Sequence, residues 1–184
     1  MGFKPNSGIV RIGVACSARE LDAPMTDSSL ILGEFRRTLD DRFRLSIPTE
    51  LIEKLDLENN EAVLVKERPG CLSLWRADAW KTKLDSNIQI IESKVRADRM
   101  SARSRELQTL GRLLSTRHRD VTLAGRNRLV IPEGFREFIS AEPGSDVLIV
   151  GAAVCVEIWR IDAWRNCLDE QIPNFADLLE QLAQ

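Results

Sequence analysis

The chain has 184 residues, of which 43% are hydrophobic and 29% are charged, and its formal net charge is −2. This balance is typical of a folded protein with one large domain or two small ones, and it offers no globally basic surface. The charge is uneven, however, because residues 94–128 hold ten Lys/Arg and only three Asp/Glu. The rest of the chain is therefore acidic, and this polarity indicates a local cationic surface.

Several protein classes are disfavoured by what the sequence lacks. No apolar run approaches the roughly 18 residues of a membrane helix, and the apolar stretch 8–16 is too short for a signal peptide, so we expect no membrane partner. The four cysteines form no CxxC pair, which argues against zinc and favours reduced thiols in the cytoplasm. The one histidine, His118, has no nucleophile motif nearby. We therefore expect no enzyme, no metal, no cofactor and no small-molecule substrate.

Beyond an unpatterned N-terminal stretch, the chain repeats itself. Residues 38–80 match residues 122–164 at 17 of 43 positions, with a shift of 84 and no gaps. Average composition would give about one match in sixteen. The sequence therefore predicts a tandem duplication. The identical pairs include Thr38/Thr122, Leu39/Leu123, Arg42/Arg126, Arg44/Arg128, Leu45/Leu129, Ile47/Ile131, Pro48/Pro132, Val63/Val147, Leu64/Leu148, Cys71/Cys155, Trp75/Trp159 and Trp80/Trp164.

Each copy predicts the same succession of elements. The first predicts a strand, a polar turn, a short strand, a helix and two strands, at 32–39, 40–43, 44–47, 49–56, 62–66 and 72–75. The second repeats this from the turn onward, at 124–127, 128–131, 133–140, 147–150 and 156–159. Pro48 and Pro132 end the short strands and suit the first helical turn. One copy of about 45 residues is too small to bury a core alone, so we expect both to form one pseudo-two-fold body.

The predicted organisation has five segments. We expect a mobile N-terminal extension, a first repeat, a helical connector, a second repeat and a C-terminal tail helix, at 1–29, 30–80, 81–116, 117–166 and 167–184. Met25 is an alternative start. The connector carries a leucine stripe at helical spacing, which predicts packing on the body or on a neighbouring subunit: Leu107, Leu110, Leu113 and Leu114. The tail from residue 175 predicts a short acidic amphipathic helix.

The turn and short strand carry a recognisable signature. Residues 38–48, TLDDRFRLSIP, resemble the MraZ family signature, in which Asp, two variable residues, Gly and Arg lead into a short strand ending in Pro. Residues 123–132, LAGRNRLVIP, are similar to the same signature in altered form. Phe43 and Asn127 replace the motif glycines, and Ala124 replaces the second Asp. The resemblance covers about residues 30–166.

The resemblance implies both a fold and a function. The implied fold is α+β, with two tandem AbrB/MraZ-like repeats forming a pseudo-two-fold swapped-hairpin β-barrel with flanking helices, as in AbrB and SpoVT regulators. The implied function is that of a bacterial transcriptional regulator. It would bind double-stranded DNA in the nucleoid, at the promoter of the division and cell-wall gene cluster, as a homo-oligomeric ring. By position, the family's DNA-facing residues correspond to Arg42, Arg44, Arg126 and Arg128.

Charge placement favours the same surface. Arginines gather at the strand–turn–strand of each copy: Arg36, Arg37, Arg42 and Arg44, then Arg117, Arg119, Arg126 and Arg128. Guanidinium groups can bind phosphate in bidentate fashion and can read guanine in the major groove. The alternative is that they form ion pairs within or between subunits. Asp40 either orients Arg44 through a salt bridge or binds the backbone of its own turn.

Other prominent residues favour structural roles. The four tryptophans are expected in a core or interface rather than as stacking platforms. Cys71 and Cys155 are expected to be small buried hydrophobes, and His118 to be solvated or near phosphate. A second function also stays open, an oligomeric interaction platform that keeps the fold while DNA binding is weakened or lost.

Overall fold

The computed structural model describes residues 30–96 and 103–184, and the predicted extension at 1–29 lies outside them. Short 3-10 turns, Glu58–Asn60 and Ile172–Asn174, precede the third strand and the last helix. The elements of the described residues, in chain order, are β1 (Ile31–Thr38), β2 (Arg44–Ser46), α1 (Thr49–Leu55), β3 (Glu61–Arg68), β4 (Cys71–Arg76), α2 (Ala77–Arg96), α3 (Ser104–Arg117), β5 (His118–Thr122), β6 (Arg128–Val130), α4 (Glu133–Ile139), β7 (Asp146–Ala153), β8 (Val156–Arg160), α5 (Ile161–Gln171) and α6 (Phe175–Leu182).

Local sequence determines where the short helices begin and end. Pro48 and Pro132 stand at the N-caps of α1 and α4, where the missing proline N–H does not matter. Asp56 and Ser140 end these helices in the left-handed conformation. The observed bounds lie close to the predicted ones. The helical connector consists of α2 and α3, and α2 begins directly after β4.

The strands are exchanged between the two copies. The main sheet has the order β1-β7-β8-β4-β3-β5, and all its pairings are antiparallel. The hairpins β3–β4 and β7–β8 each lie within one copy. In contrast, β1 pairs with β7 of the second copy, β5 pairs with β3 of the first, and β4 pairs with β8. A separate two-stranded ribbon joins β2 to β6. The α+β class and the exchange of strands between repeats are confirmed.

The pairing of β7 departs from the ungapped sequence alignment. Thr122 at the end of β5 pairs with Glu61, and Thr38 at the end of β1 pairs with Asp146, so the equivalent strands differ by 85 residues rather than 84. The loop after α4 is one residue longer than the loop after α1. In compensation, four residues separate the paired residues Gly151 and Val156, whereas five separate the equivalent pair Lys66 and Leu72. Val147 therefore takes the place of Ala62, although its sequence match is with Val63.

One face of the sheet forms the main core. The ribbon, α1 and α4 pack on this face, and the side chains between the layers are aliphatic. Its fully buried members come from both copies: Leu45, Leu51, Leu64, Leu72, Leu74, Leu129, Ile131, Ile149 and Ile158. Because both hairpins and both ribbon strands contribute, neither copy encloses this core by itself.

The other face of the sheet carries two smaller clusters related by the pseudo-two-fold. In one, Trp75 and Trp80 pack with Cys155, and in the other Trp159 packs with Cys71 against Trp164. The indole centroids are 5.9 Å apart in the first cluster and 5.3 Å apart in the second. Each cysteine thus packs against the tryptophans of the opposite copy. The structural roles predicted for the tryptophans and for the two cysteines are confirmed.

The outer helices are less well covered than the sheet. No residue of α3 or α6 is buried. Three leucines of the predicted stripe line a cavity between α2 and α3, whereas Leu113 is turned to solvent. Within the described ranges, no helix is long and apolar enough to span a bilayer.

Candidate nucleic-acid interface

The ribbon of β2 and β6 presents two arginines on one outward face. Arg44 pairs with Val130, Leu45 with Leu129, and Ser46 with Arg128. Leu45 and Leu129 are fully buried, so the alternate side chains point away from the core. Arg44 and Arg128 are diagonal neighbours on this face, a relation that places their Cα atoms about 7–8 Å apart. We call the outward side chains of β2 and β6 the ribbon face.

The first turn fixes Arg44 through one carboxylate. Asp40 Oδ1 accepts the backbone N–H groups of Arg42 and Arg44, both at 2.9 Å, and Oδ2 accepts the Arg44 Nε–H at 2.6 Å. The backbone N–H of Arg44 contributes most to holding the pKa of Asp40 below its ordinary value of 3.8, followed by the Arg44 guanidinium and the Arg42 N–H, while partial desolvation opposes them. The two roles considered for Asp40 therefore occur together.

The second turn lacks this carboxylate. The backbone groups of Ala124 and Arg128 bond each other in both directions, at 2.8 and 3.1 Å, and Arg128 Nε donates to the Gly125 carbonyl at 3.1 Å. Arg126 and Asn127 both take left-handed backbone conformations. Residues 40–44 balance two arginines with two aspartates, whereas residues 124–128 carry two arginines and no acid. The altered second signature is consequently the more cationic of the two.

Phe43 keeps the left-handed backbone that its position requires, with φ of 56°. Its carbonyl accepts the N–H of Ile131 from the other copy at 3.0 Å, and the Asn127 carbonyl accepts the N–H of Ile47 in the same way. A β-carbon makes this conformation unfavourable. The Phe43 ring, however, packs against the core and lies under the Arg136 guanidinium, 4.0 Å from the ring centroid. This stacking helps to offset the strain.

The two arginines of β1 do not join the ribbon face as one patch. Arg36 projects from the exposed face of β1 and forms an ion pair with Asp146, with Nη2 2.6 Å from Oδ2. Arg37 follows directly, so it projects from the opposite face, half-buried, with its guanidinium 5.8 Å from the Phe35 ring. Arg36 is therefore engaged within the fold, and the predicted grouping is split.

The corresponding residues of the second copy are also separated. Arg117 ends α3, where Nε donates to the Lys66 carbonyl at 3.1 Å and Nη2 lies 3.7 Å from a Glu67 oxygen. Arg119 lies on β5, opposite Leu64 of β3. His118 is half-buried, with its ring centroid 5.9 Å from that of Trp80, so the aromatic cluster shields it in part from solvent.

In the part of the chain that the structure describes, two arginines of the turns have side chains without a protein partner. Among the described residues, no hydrogen bond or ion pair engages the guanidinium of Arg42 or Arg126, and both residues are exposed. Over residues 30–96 and 103–184, no group of three or more His, Cys, Asp or Glu side chains could hold a metal ion. The site thus offers guanidinium groups for an anionic partner.

Three residues of this region escaped the sequence analysis. Ser46 and Val130 complete the ribbon face, and the period-two alternation of the short strands could have identified them. Arg136 supports Phe43 from α4 of the other copy, and no local signal reveals such a long-range contact.

Comparison with known proteins identifies the family. The family profile described as "MraZ protein, putative antitoxin-like" matches residues 30–104 and 116–184. The chain belongs to the MraZ family. Two relatives named "Transcriptional regulator MraZ" come from Roseiflexus sp. strain RS-1 and Treponema denticola. The first is 29% identical over 155 residues, covering 84% of this chain and 98% of the relative. The second is 26% identical over 152 residues, covering 83% and 96%.

These MraZ relatives are named as regulators of transcription, and the family is not one of enzymes. A solved structure, the solution structure of PHS018 from Pyrococcus horikoshii, gives a TM-score of 0.30 at 11% identity. It covers 71% of this chain and 90% of that chain. The family assignment therefore rests on the sequence matches.

Proposed function

We propose that this MraZ family chain is a sequence-specific DNA-binding transcriptional regulator whose ribbon face enters the major groove. The observation that carries the proposal is the outward placement of Arg44 and Arg128 as diagonal neighbours on β2 and β6. A two-stranded ribbon fits the width of the major groove, and arginine there can bind guanine O6 and N7 in bidentate fashion. The names of the relatives agree with this function.

The two turns would contact the DNA backbone on either side of the bases. Arg42 and Arg126 are exposed and lie next to Arg44 and Arg128, within reach of phosphates when the ribbon lies in the groove. Phosphate contacts position a protein on the duplex, while base contacts specify the sequence. Arg36, Arg37, Arg117 and Arg119 lie beyond the ribbon, and we propose only peripheral contacts for them. Asp40 acts indirectly by orienting Arg44.

Assembly would compensate for the small size of each ribbon. We propose that the subunits form a ring, so that several ribbon faces bind direct repeats in one promoter, that of the division and cell-wall gene cluster. Linked sites gain roughly 10²–10⁴ in avidity without new contacts, which would let a mildly acidic subunit bind DNA firmly. Such a regulator would work in the cytoplasm, at the nucleoid.

The test is DNA binding by the wild-type chain and by the double variant Arg44→Ala/Arg128→Ala. Fluorescence anisotropy with duplexes from the chain's own upstream promoter should give affinity across a range of salt concentrations. We expect the double variant to bind the promoter duplex at least about tenfold more weakly and to lose sequence preference, because it removes the two proposed base contacts. Arg165→Ala, which removes an exposed arginine on α5, is the matched control and should bind like wild type.

The outcome separates the two functions. Equal affinity of wild type and the double variant for the promoter duplex would refute a DNA-reading ribbon. Salt-insensitive binding of a protein partner, without any DNA binding, would favour the interaction platform.

A further inference from the structure

An open apolar groove runs between α2 and α3. It encloses about 430 Å³ and is lined by aliphatic side chains from both helices: Ile88, Ile91, Val95, Leu107, Leu110 and Leu114. The described residues that line it all belong to these two helices, and Val95 remains 45% exposed. Apolar surface of this kind is typical of a docking site.

The last helix, α6, presents an apolar face that packs on nothing in the described part of the chain. Phe175, Leu178, Leu179 and Leu182 follow the spacing i, i+3, i+4 and i+7, so they share one side of the helix. Their exposures range from 54% to 78%. With eight residues, α6 is about 12 Å long, close to the length of the groove from Ile88 to Val95.

The charges of the two surfaces are complementary. Residues 166–184, which include α6, hold four acidic residues and no basic residue. Residues 103–117, which include α3, hold four arginines and one glutamate. Lys94 and Arg96 also lie at the edge of the groove, where Glu92 pairs with Arg96 and Glu106 with Arg103, so basic residues remain in excess along the rim. An acidic amphipathic helix is therefore the kind of segment that this groove fits, since charge complementarity favours one partner and one orientation.

The repeat relates the segment that leads into α6 to one wall of the groove. A shift of 84 residues relates Ile172 and Phe175 to Ile88 and Ile91. In the first copy, those isoleucines face α3 across the groove, and in the second copy Phe175 lies on the exposed apolar face of α6. Helix α6 thus follows the second copy, whereas the groove follows the first copy. A contact between two different surfaces is heterologous and produces rings or filaments.

We propose that α6 of one subunit docks in the α2–α3 groove of the next copy of this chain. This interface deepens the assembly part of the proposed function and rests on that part alone. Each subunit donates one helix and accepts one, and the acidic side chains of α6 lie along the arginine-rich rim of α3.

The test is the assembly of full-length variants, measured by sedimentation velocity over a series of concentrations without DNA. Leu179→Glu places a charge on the apolar face of α6, and Leu110→Glu places one in the groove. Each should raise the concentration needed for assembly by about 30-fold or more, as the loss of a central apolar contact does. Gln181→Glu adds the same charge to α6 outside its apolar face and should assemble like wild type. Circular dichroism checks that each variant keeps its helices.

Mixing the two defective variants gives the sharper result. Leu179→Glu keeps its groove and Leu110→Glu keeps its α6, so the mixture should form a one-to-one dimer and nothing larger. Normal assembly of Leu110→Glu would overturn the proposal and indicate pairing of α6 with α6. Normal assembly of both variants would overturn the docking interface while leaving a ring intact. A monomeric wild-type chain would overturn both docking and the ring, whereas DNA binding is tested separately through Arg44 and Arg128.

Discussion

At the scale of single residues, the two turns hold equivalent arginines in different ways. Arg44 is fixed by a carboxylate, whereas the Arg128 side chain, among the residues that the structure describes, bonds only a carbonyl of its own turn. Both bonds have a charged donor, but the bond of Arg44 also has a charged acceptor, so Coulomb attraction adds to it and Arg44 is the more firmly oriented of the pair. If both contact DNA, Arg44 suits a fixed base contact and Arg128 a more adaptable one.

Asp40→Asn should destabilise the chain in a pH-dependent way. The folded state lowers the pKa of Asp40, so its stabilising contribution is present above the ordinary pKa of 3.8 and is lost as pH falls through the lower folded value. Thermal unfolding should therefore show a lower Tm for the variant at pH 7 and a smaller difference near pH 2.5. A difference that is constant between these pH values would contradict the proposed role of the carboxylate.

Phe43 and Arg136 should be energetically coupled. The single variants Phe43→Leu and Arg136→Met each remove the stacking, and the double variant completes a cycle measured by urea unfolding. We expect a coupling energy of about 0.5–2 kcal/mol, the range of cation–π contacts. A cycle of Phe43→Leu with Arg165→Met serves as the control, because Arg165 lies on α5 away from the ring. Coupling equal to that of the control would show that the contact contributes nothing.

At the scale of elements, the exchanged strand β1 depends on a close approach to β7. Gly33 pairs with Gly151 in the middle of the two strands. A β-carbon on Gly151 would lie 2.6 Å from the Ile31 carbonyl oxygen, nearer than real contacts allow. The obstructing atom belongs to the backbone of β1, which cannot move without disturbing the hydrogen bonds between β1 and β7. The pairing of β1 with β7 therefore requires glycine at position 151.

Gly151→Ala should lower the free energy of unfolding by about 1–3 kcal/mol, in the range of disrupted packing and backbone strain. Gly134→Ala is the matched control, because its β-carbon would meet only the end of a lysine side chain at 3.9 Å. The control lies on α4, where alanine is the better helix former, and should not destabilise the protein. Equal stability of the two variants would argue against the tight β1–β7 pairing.

At the scale of the whole molecule, the reactivity of the Cys71 and Cys155 thiols can show whether the two copies separate. Cys71 begins β4 and Cys155 directly precedes β8, the two strands at the centre of the sheet. Each cysteine packs with tryptophan from the opposite copy. Desolvation is the main cause that raises the pKa of both thiols, that of Cys155 to about 12. Near pH 8 both remain protonated and shielded, so neither should react with an alkylating reagent in the folded chain.

Iodoacetamide labelling, followed peptide by peptide with mass spectrometry, should modify Cys71 and Cys155 at the same rate. That rate should follow the loss of near-ultraviolet tryptophan dichroism, because both thiols become accessible only when the sheet opens. Labelling of one cysteine while the other stays protected would show that the halves open independently. Peptide resolution keeps the remaining cysteines from confusing the result.

The sequence predicted elements and their repetition better than their pairing. Pro48, Pro132 and the alternation in the strands are local signals, and the structure confirms them. The one-residue offset of β7 could not be predicted from the sequence. Val147 is identical to Val63 in the ungapped alignment, and the loops that shift the strand carry no apolar pattern. Because of the extra loop residue, the side chains of β7 lie on the opposite face of the sheet from the β3 residues with which they align in sequence. Only the pairing of the complete sheet reveals this shift.

The candidate site shows the same division between local and long-range information. The neighbouring placement of Asp40 and Arg44 follows from a four-residue turn, so it could be considered in advance. The stacking of Arg136 on Phe43 joins positions far apart in the chain, and the packing of His118 on Trp80 depends on α2 meeting β5. No periodicity encodes such contacts. The DNA contacts of the ribbon face stay a prediction.

The exchange of strands also constrains how the chain is made. β1 emerges early from the ribosome, but its partner β7 follows about 110 residues later, as the separation of Arg36 and Asp146 shows. The first hairpin gains β5 beside β3 earlier, but β4 has no neighbour until β8 is made, so its unpaired backbone groups stay exposed to other nascent chains. Folding must therefore be largely post-translational, and a truncated message would yield a product prone to aggregation rather than a working half.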